Sequence, residues 1–333
     1  MHSSIDVARK AGVSQSTVSR VLNAPHTVSD QKVKKVQQAI KELRYNPNSI
    51  ARSLVSKKTK TIALISGPLH NPYFVETTTS IVNYNKMKGY NTIVFFEDYE
   101  DKEGNLESYQ TALSMQVDGI ILSSIYKEDI IYKDLINSKT PFIMFNRKHN
   151  KSINYVEIDN IKAGEIAAKH LIDYNHKKIG YIGGSLEVST FNGRHHGFTQ
   201  VLKNYQLYDK SLIFETNTSK ESIKNSIHKM VRLNPTAIFA AADAIAIYVI
   251  DALIELGYSV PEDISVCGVD NVETATHRLL GLTTIGTINE ENLGKIGIEH
   301  LIKMIEQTTE EKKIYIRETI SPALYLRNTT KKI

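Results

Sequence analysis

The stretch QSTVSRVL, residues 15–22, places Gln15, Ser16, Ser19 and Arg20 at i, i+1, i+4 and i+5. In a helix these four polar side chains share the outward side, while Val18, Val21 and Leu22 face a packed side. A helix so dressed is the right width for a DNA major groove. Its N-terminal end brings amides and hydroxyls to phosphates and base edges. The alternative chemistry is none at all: a helical hairpin whose outer face is only solvated.

Several elements must hold that face in place. A first helix over 5–11 offers Ala8 and Ala11 to Val18 and Val21. Gly12 suits the left-handed residue that ends it, and Ser14 can cap the second helix through its hydroxyl. A third helix over 30–44 carries Val33, Val36, Ala39, Ile40 and Leu43 on one stripe, with Ser29 placed to cap it. After Pro47, Asn48 or Ser49 can cap a short helix in which Ile50 and Leu54 share a face. Such a helix is too short to be stable alone in water.

Charge is distributed unevenly. The 333 residues carry 41 Lys and Arg against 36 Asp and Glu. Residues 1–60 alone contain Arg9, Lys10, Arg20, Lys32, Lys34, Lys35, Lys41, Arg44, Arg52, Lys57, Lys58 and Lys60 against Asp6, Asp30 and Glu42. The remainder is mildly acidic. A basic head on an acidic body points the head, and not the body, at a polyanion. Cys267 is the sole cysteine; within ISVCGV it reads as a small buried hydrophobe. Apolar runs are too short to span a bilayer and the N-terminus has no secretory pattern, so a cytoplasmic protein is expected.

From residue 61 the pattern becomes alternating strand and helix. Strands are expected at 61–66, 91–96, 118–123 and 141–145, then at 178–184, 212–215, 236–242 and 264–269, with closing strands at 315–320 and 323–327. Helices fit near 73–88, 104–115, 129–136, 160–173, 192–204, 220–232, 243–256 and 290–306. Short, nearly continuous apolar strands suit a parallel sheet covered on both faces. Two such halves predict two lobes, with a ligand cleft at the carboxyl ends of the strands.

In order along the chain stand IDVARKAGVSQSTVSRVLN, KVQQAIKELRYNPNSIARSL, HNPYF, DGIIL, GRHHGF, VPEDISVCGVDN and LTTI. Together they resemble the lactose-repressor (LacI/GalR) family of bacterial transcription regulators, from about residue 4 to 327. The resemblance implies a small all-α helix-turn-helix head over 1–46 and a hinge over 47–59. It also implies an α/β two-lobed, periplasmic-binding-protein-like body of two doubly wound parallel sheets. Its N-terminal lobe would comprise 60–158 and 290–320, its C-terminal lobe 159–289 and 321–333. Gln15, Ser16 and Arg20 would contact bases, Arg through a fork that suits guanine and Gln adenine. Thr17, Ser19, Asn23 and Tyr45 would touch the phosphate backbone. Leu54 would wedge into a minor-groove step beside Ala51 and Arg52.

The same resemblance lines an effector cleft with Asn71, Tyr73, Phe74, Asn146, Arg194, Ala242, Asp270 and Thr287. Arg194 and Asp270 could hold hydroxyls or one charged group each, with Tyr73 and Phe74 as a wall. Alternatively, Arg194 and Asp270 only tie the lobes together. Two departures weigh against a simple hexose: Ala242 precedes Asp243 where many sugar-binding members carry Asn, and TNTSK (216–220) has no aromatic. The expected protein is a homodimeric repressor of a palindromic operator, controlled by a sugar, sugar phosphate or other metabolite, with no cofactor or metal. A chain end without a heptad tail favours a dimer over a tetramer. A transport or sensor protein fits the body but not the basic head. An α/β enzyme would need a phosphate loop or nucleophile elbow, and IGYIGGS (179–185) and the adjacent His195 and His196 supply neither, nor a metal site.

Overall fold

A computed structural model of the chain describes residues 2–45, 59–97, 102–307 and 315–333, without the side chains of Asn23 and 102–105. Ala51, Arg52 and Leu54, and the short helix expected after Pro47, lie outside the described residues. The protein divides into two compact units, Met1–Lys60 and Thr61–Ile333.

The first unit holds three α-helices among its described residues, α1 (Ser4–Ala11), α2 (Gln15–Asn23) and α3 (Asp30–Glu42), with a 3-10 turn at Pro25–Thr27 between the last two. Ser3 and Asp6 close a capping box at the start of α1, each side chain accepting from the other's backbone N–H. Gly12 ends α1 at φ 66°, a conformation that costs other residues more. Val7, Val18 and Val36 are fully buried where the helices meet, with Ala8, Ala11, Val21 and Ala39 beside them. Each such valine stabilises the unit by roughly 1.5–3 kcal/mol relative to exposure. Ser29 stands at the start of α3, but its hydroxyl makes no capping bond. Asp30 in the first turn supplies negative charge to the helix N-terminus instead.

The second unit contains two six-stranded sheets. The first runs β11 (Arg317–Ile320), β5 (Tyr155–Ile158), β4 (Phe142–Phe145), β3 (Gly119–Leu122), β1 (Thr61–Ser66), β2 (Asn91–Phe96), all parallel. The second runs β12 (Pro322–Tyr325), β10 (Thr283–Thr287), β9 (Ser265–Val269), β8 (Ala237–Ala240), β6 (Ile179–Gly183), β7 (Ile213–Glu215). Only the β10–β12 pair is antiparallel among the described pairings. Adjacent in sequence, β11 and β12 close one sheet each, so the chain crosses between lobes again near its end.

Burial on both faces explains the continuous apolar strands. Ile62 and Leu64 pack with Ile121 and Ile143 on one face of the first sheet. Ala63 and Ile65 pack with Ile120, Leu122 and Met144 on the other. Helix α4 (Pro72–Met87) and helix α12 (Leu293–Glu306) cover the first face together. In the second lobe, helices α7 (Asn160–Asp173) and α8 (Ser189–Asn204) pack closely against each other.

Two strands escape the sequence pattern. In β5, Glu157 breaks the apolar run. In β10, TTIGT offers threonines and a glycine where a continuous aliphatic run is expected. Both are internal to their sheets. Thr283 and Thr284 are fully buried because their polar groups are paired: the Thr283 N–H donates to Thr329 Oγ1 at 2.9 Å and the Thr284 hydroxyl to Asp243 Oδ1 at 2.5 Å. The architecture is a small all-α helix-turn-helix head with an α/β two-lobed body built on two doubly wound, mainly parallel sheets.

Candidate functional site

In the head, Gln15, Ser16, Ser19 and Arg20 are exposed on α2. Ser14 caps this helix, accepting from the Thr17 N–H at 3.2 Å, and its hydroxyl lies 2.9 Å from those of both Ser16 and Thr17. The Thr17 side chain is buried by that arrangement. Gln15 Nε2 donates to Ser4 Oγ at 2.9 Å, which pins the start of α2 to the start of α1. Tyr45 is half-buried against the head's core. Asn23 closes α2. The result is an exposed polar helix face presented by a rigid three-helix support, with Lys34 and Lys35 exposed on α3.

In the body, the second lobe buries an ion pair between Arg194 and Asp270. Arg194, on α8, is buried and fully engaged. Its Nε donates to Asn160 Oδ1 at 2.9 Å, Nη1 to the Ala241 carbonyl at 2.6 Å and Nη2 to Asp270 Oδ1 at 3.0 Å. Glycines make this reach possible. A Cβ on Gly197 would lie 2.0 Å from the Ile161 carbonyl oxygen, and one on Gly164 2.1 Å from that of Arg194. Only bare backbone lets α7 and α8 approach so closely and bring Asn160 to the guanidinium.

Asp270 adopts φ 129° and its neighbour Asn271 φ 54°. Such a backbone costs about 1–3 kcal/mol and survives where surrounding bonds over-determine it. Here the Asp270 N–H donates to the Ile285 carbonyl at 2.7 Å and Arg327 Nη2 donates to Asn271 Oδ1 at 2.6 Å. Asp243 lies buried alongside, accepting from the Val272 N–H and the Thr284 hydroxyl. Burial, reinforced by the nearby Asp270 charge, pushes the Asp243 carboxyl well above the usual carboxylate range. Burial also raises Asp270, against the pull of Arg194.

Tyr73, Asn146, Arg194, Asp270 and Thr287 line one cavity of about 80 Å³ together with Glu76, Glu290 and Asn292. The Tyr73 hydroxyl is buried there, and among the described residues it has no hydrogen-bond partner. Three expected residues sit elsewhere. Asn71 caps α4, accepting from the Tyr73 N–H at 3.0 Å. Phe74 is buried edge-on against Tyr73, ring centroids 5.5 Å apart. Ala242 is buried at the start of α10 (Asp243–Glu255). Arg194 and Asp270 both belong to the lobe of the second sheet, so their ion pair does not join the lobes. That task falls to hydrogen bonds from the Lys127 N–H to the Glu187 carbonyl (3.0 Å), the Lys148 N–H to Ser189 Oγ (2.9 Å) and the Glu273 N–H to Glu76 Oε1 (2.8 Å).

A larger cavity of about 670 Å³ also lies between the lobes, where a ligand cleft was expected, but its lining residues escaped the sequence reading. Its walls include Glu97, Tyr109, Ser124 and Tyr126 from the first lobe and Leu186, Glu187, Asn192 and Glu215 from the second. Its size is that of a small-molecule site. A signal existed in the acidic residues that close β2 and β7, but they carry no motif. No cluster of His, Cys, Asp and Glu among the described residues could hold a metal ion. No described helix is long and apolar enough to cross a membrane.

A helix-turn-helix head joined to a two-lobed body with an interlobe cavity defines a class of regulator. The model of bacterial regulatory proteins of the lacI family matches residues 5–48, and that of the periplasmic binding protein-like domain matches residues 168–330. The HTH-type transcriptional repressor PurR of Aliivibrio salmonicida is 33% identical over 319 residues, 93% of this chain and 94% of that protein. The PurR repressor of Erwinia tasmaniensis is 34% identical over 318 residues, 92% of this chain and 91% of that protein. The lac repressor dimer bound to operator and the anti-inducer ONPF superposes with a TM-score of 0.85 at 25% identity, covering 99% of each chain. The chain belongs to the LacI family of DNA-binding transcription regulators.

Proposed function

We propose that this protein represses transcription by binding a near-palindromic operator as a homodimer, and that a small molecule held between the lobes sets its affinity for that operator. The observation that carries the proposal is the exposed Gln15, Ser16, Ser19 and Arg20 face on a capped, buried-core helix, in one chain with an interlobe cavity of about 670 Å³. Gln15, Ser16 and Arg20 are proposed to read bases, Ser19 and Asn23 to touch phosphates, and Ala51, Arg52 and Leu54 to enter the minor groove. Thr17 acts through the Ser14 cap, and Tyr45 through the head's core. The effector is proposed to occupy the space between the lobes, with its main volume in the larger cavity and with Tyr73, Asn146, Asp270 and Thr287 of the smaller cavity as further contacts, Arg194 holding Asp270 in place.

The proposed division of the body follows the sheets, with 60–158 and 290–320 in one lobe and 159–289 and 321–333 in the other. The protein is proposed to work in the cytoplasm by binding, without catalysis. Two relationships support this. The PurR relatives are repressors, and the matching lac repressor structure is a dimer on operator DNA.

The effector needs only a modest preference between two states. A difference of about 1–3 kcal/mol changes occupancy roughly five- to 150-fold. The test is selection of binding sites from random duplexes by the purified full-length protein, repeated with metabolite pools. A two-fold symmetric consensus whose affinity shifts with one pool is expected. No preference for any duplex over random competitor overturns the proposal.

A further inference from the structure

The larger interlobe cavity has an unbalanced wall. Glu97, Glu128, Asp129, Glu187 and Glu215 line it, and Lys127 is the basic side chain among its described residues. The bonds these carboxylates already make are with neutral donors. Asp129 accepts from the Ile131 N–H at 3.1 Å, Glu215 from the Leu186 N–H at 3.1 Å, and Glu128 from the Asn150 amide. None of these cancels charge.

Glu97 is the critical one. It directly follows β2 at 3% exposure. Among the described residues no cation comes within ion-pair distance of it; Arg147 acts on it only from farther away. Ser124 and Tyr109, also on the wall and 1% and 2% exposed, lie beside it, and their hydroxyls favour its charged form without neutralising it. A buried carboxylate that no described cation pairs thus borders an open volume. Burial of an unpaired charge is costly, and a ligand that supplies the opposite charge recovers that cost.

We propose that the effector of this protein carries a protonated amine, which sits against Glu97 within the acidic wall. The charge also repels phosphorylated and carboxylate ligands, since the exposed Glu128, Glu187 and Glu215 present a like charge before any contact forms. A neutral polyol can bond to carboxylates but leaves their charge uncompensated. This inference rests on the reading of the interlobe space as the effector site, and it narrows that reading to one charge class.

The test uses full-length protein and matched probes in titration calorimetry: glucosamine against glucose, putrescine against 1,4-butanediol, and glucose 6-phosphate. Each amine is expected to bind at least tenfold more tightly than its neutral twin. Glu97→Gln should reduce that preference at least fivefold. Glu187→Gln, at an exposed wall position, should reduce it in the same direction and serves where Glu97→Gln does not fold. Equal or tighter binding of glucose, butanediol or glucose 6-phosphate overturns the amine inference and leaves the effector cleft standing. Failure of every probe overturns the amine inference as well. The cleft reading falls with it only if operator affinity is also indifferent to metabolite pools.

Discussion

The Arg194 guanidinium and the Asp270 carboxylate meet at 3.0 Å with side chains only 3% and 8% exposed, inside a single lobe. The pair therefore sets the shape of the cleft floor rather than clasping the lobes. Truncating either partner leaves the other buried and uncompensated. Arg194→Met should destabilise the body by about 3–5 kcal/mol. Asp270→Asn should cost less, because an amide still accepts from the guanidinium. Urea denaturation of the two single variants and the double variant checks this. Strictly additive losses would show that the two side chains are not coupled.

Glu97 gives a pH signature with a definite sign. Burial pushes its carboxyl up to about 7 from an ordinary 4.5. The folded protein then binds more protons than the unfolded chain between those values, so this group's contribution to stability falls as pH rises from 4.5 to 7. The full effect is on the order of 3 kcal/mol. His170 works the other way: burial lowers its ring to about 4, so acidification below 6.5 destabilises the fold. The comparison must therefore be a difference. Relative to Glu97→Gln, the native protein should lose stability as pH rises through this window. A stability difference independent of pH would refute the assignment.

The close crossing of α7 and α8 depends on Gly197. A Cβ there would meet the Ile161 carbonyl oxygen at 2.0 Å, and backbone cannot step aside as a flexible side chain can. Gly197→Ala should cost about 1–3 kcal/mol through forced separation of the helices. It should also weaken effector binding, because Asn160 and Arg194 bond across that crossing. A thermal melt and a ligand titration on the same sample read both effects. Unchanged ligand affinity would separate the crossing from the cleft.

Arg20 is exposed on α2, where a two-pronged donor can meet a guanine edge. Arg20→Ala should relax the preference at one operator position by about 1–3 kcal/mol and leave head stability nearly unchanged. Binding-site selection with both proteins decides it. An identical consensus from the two would remove Arg20 from the reading face.

Much of the architecture is written in local pattern. Gly12, Ser14 and the spacing of Val18 and Val21 specify two helices and their turn with information contained within 20 residues. The continuous apolar runs of β1 and β3 announce a sheet buried on both faces. Strand β10 was illegible for the opposite reason. Its threonines become apolar-like only when Asp243 and Thr329, distant in sequence, absorb their polar groups.

The site divides in the same way. The sequence by itself determined the polar face of α2, because a helix repeats every 3.6 residues and needs no distant partner to fix which side chains point outward. The resemblance to the LacI/GalR family put Asn71, Tyr73, Phe74, Asn146, Arg194, Ala242, Asp270 and Thr287 forward, and five of them, Tyr73, Asn146, Arg194, Asp270 and Thr287, line one small cavity. Only the tertiary structure decided that Arg194 and Asp270 pair with each other, that Phe74 and Asn71 serve α4, and that Glu97 faces the large cavity. Those facts depend on how two sheets, assembled from segments hundreds of residues apart, come to face one another. No local spacing encodes that approach.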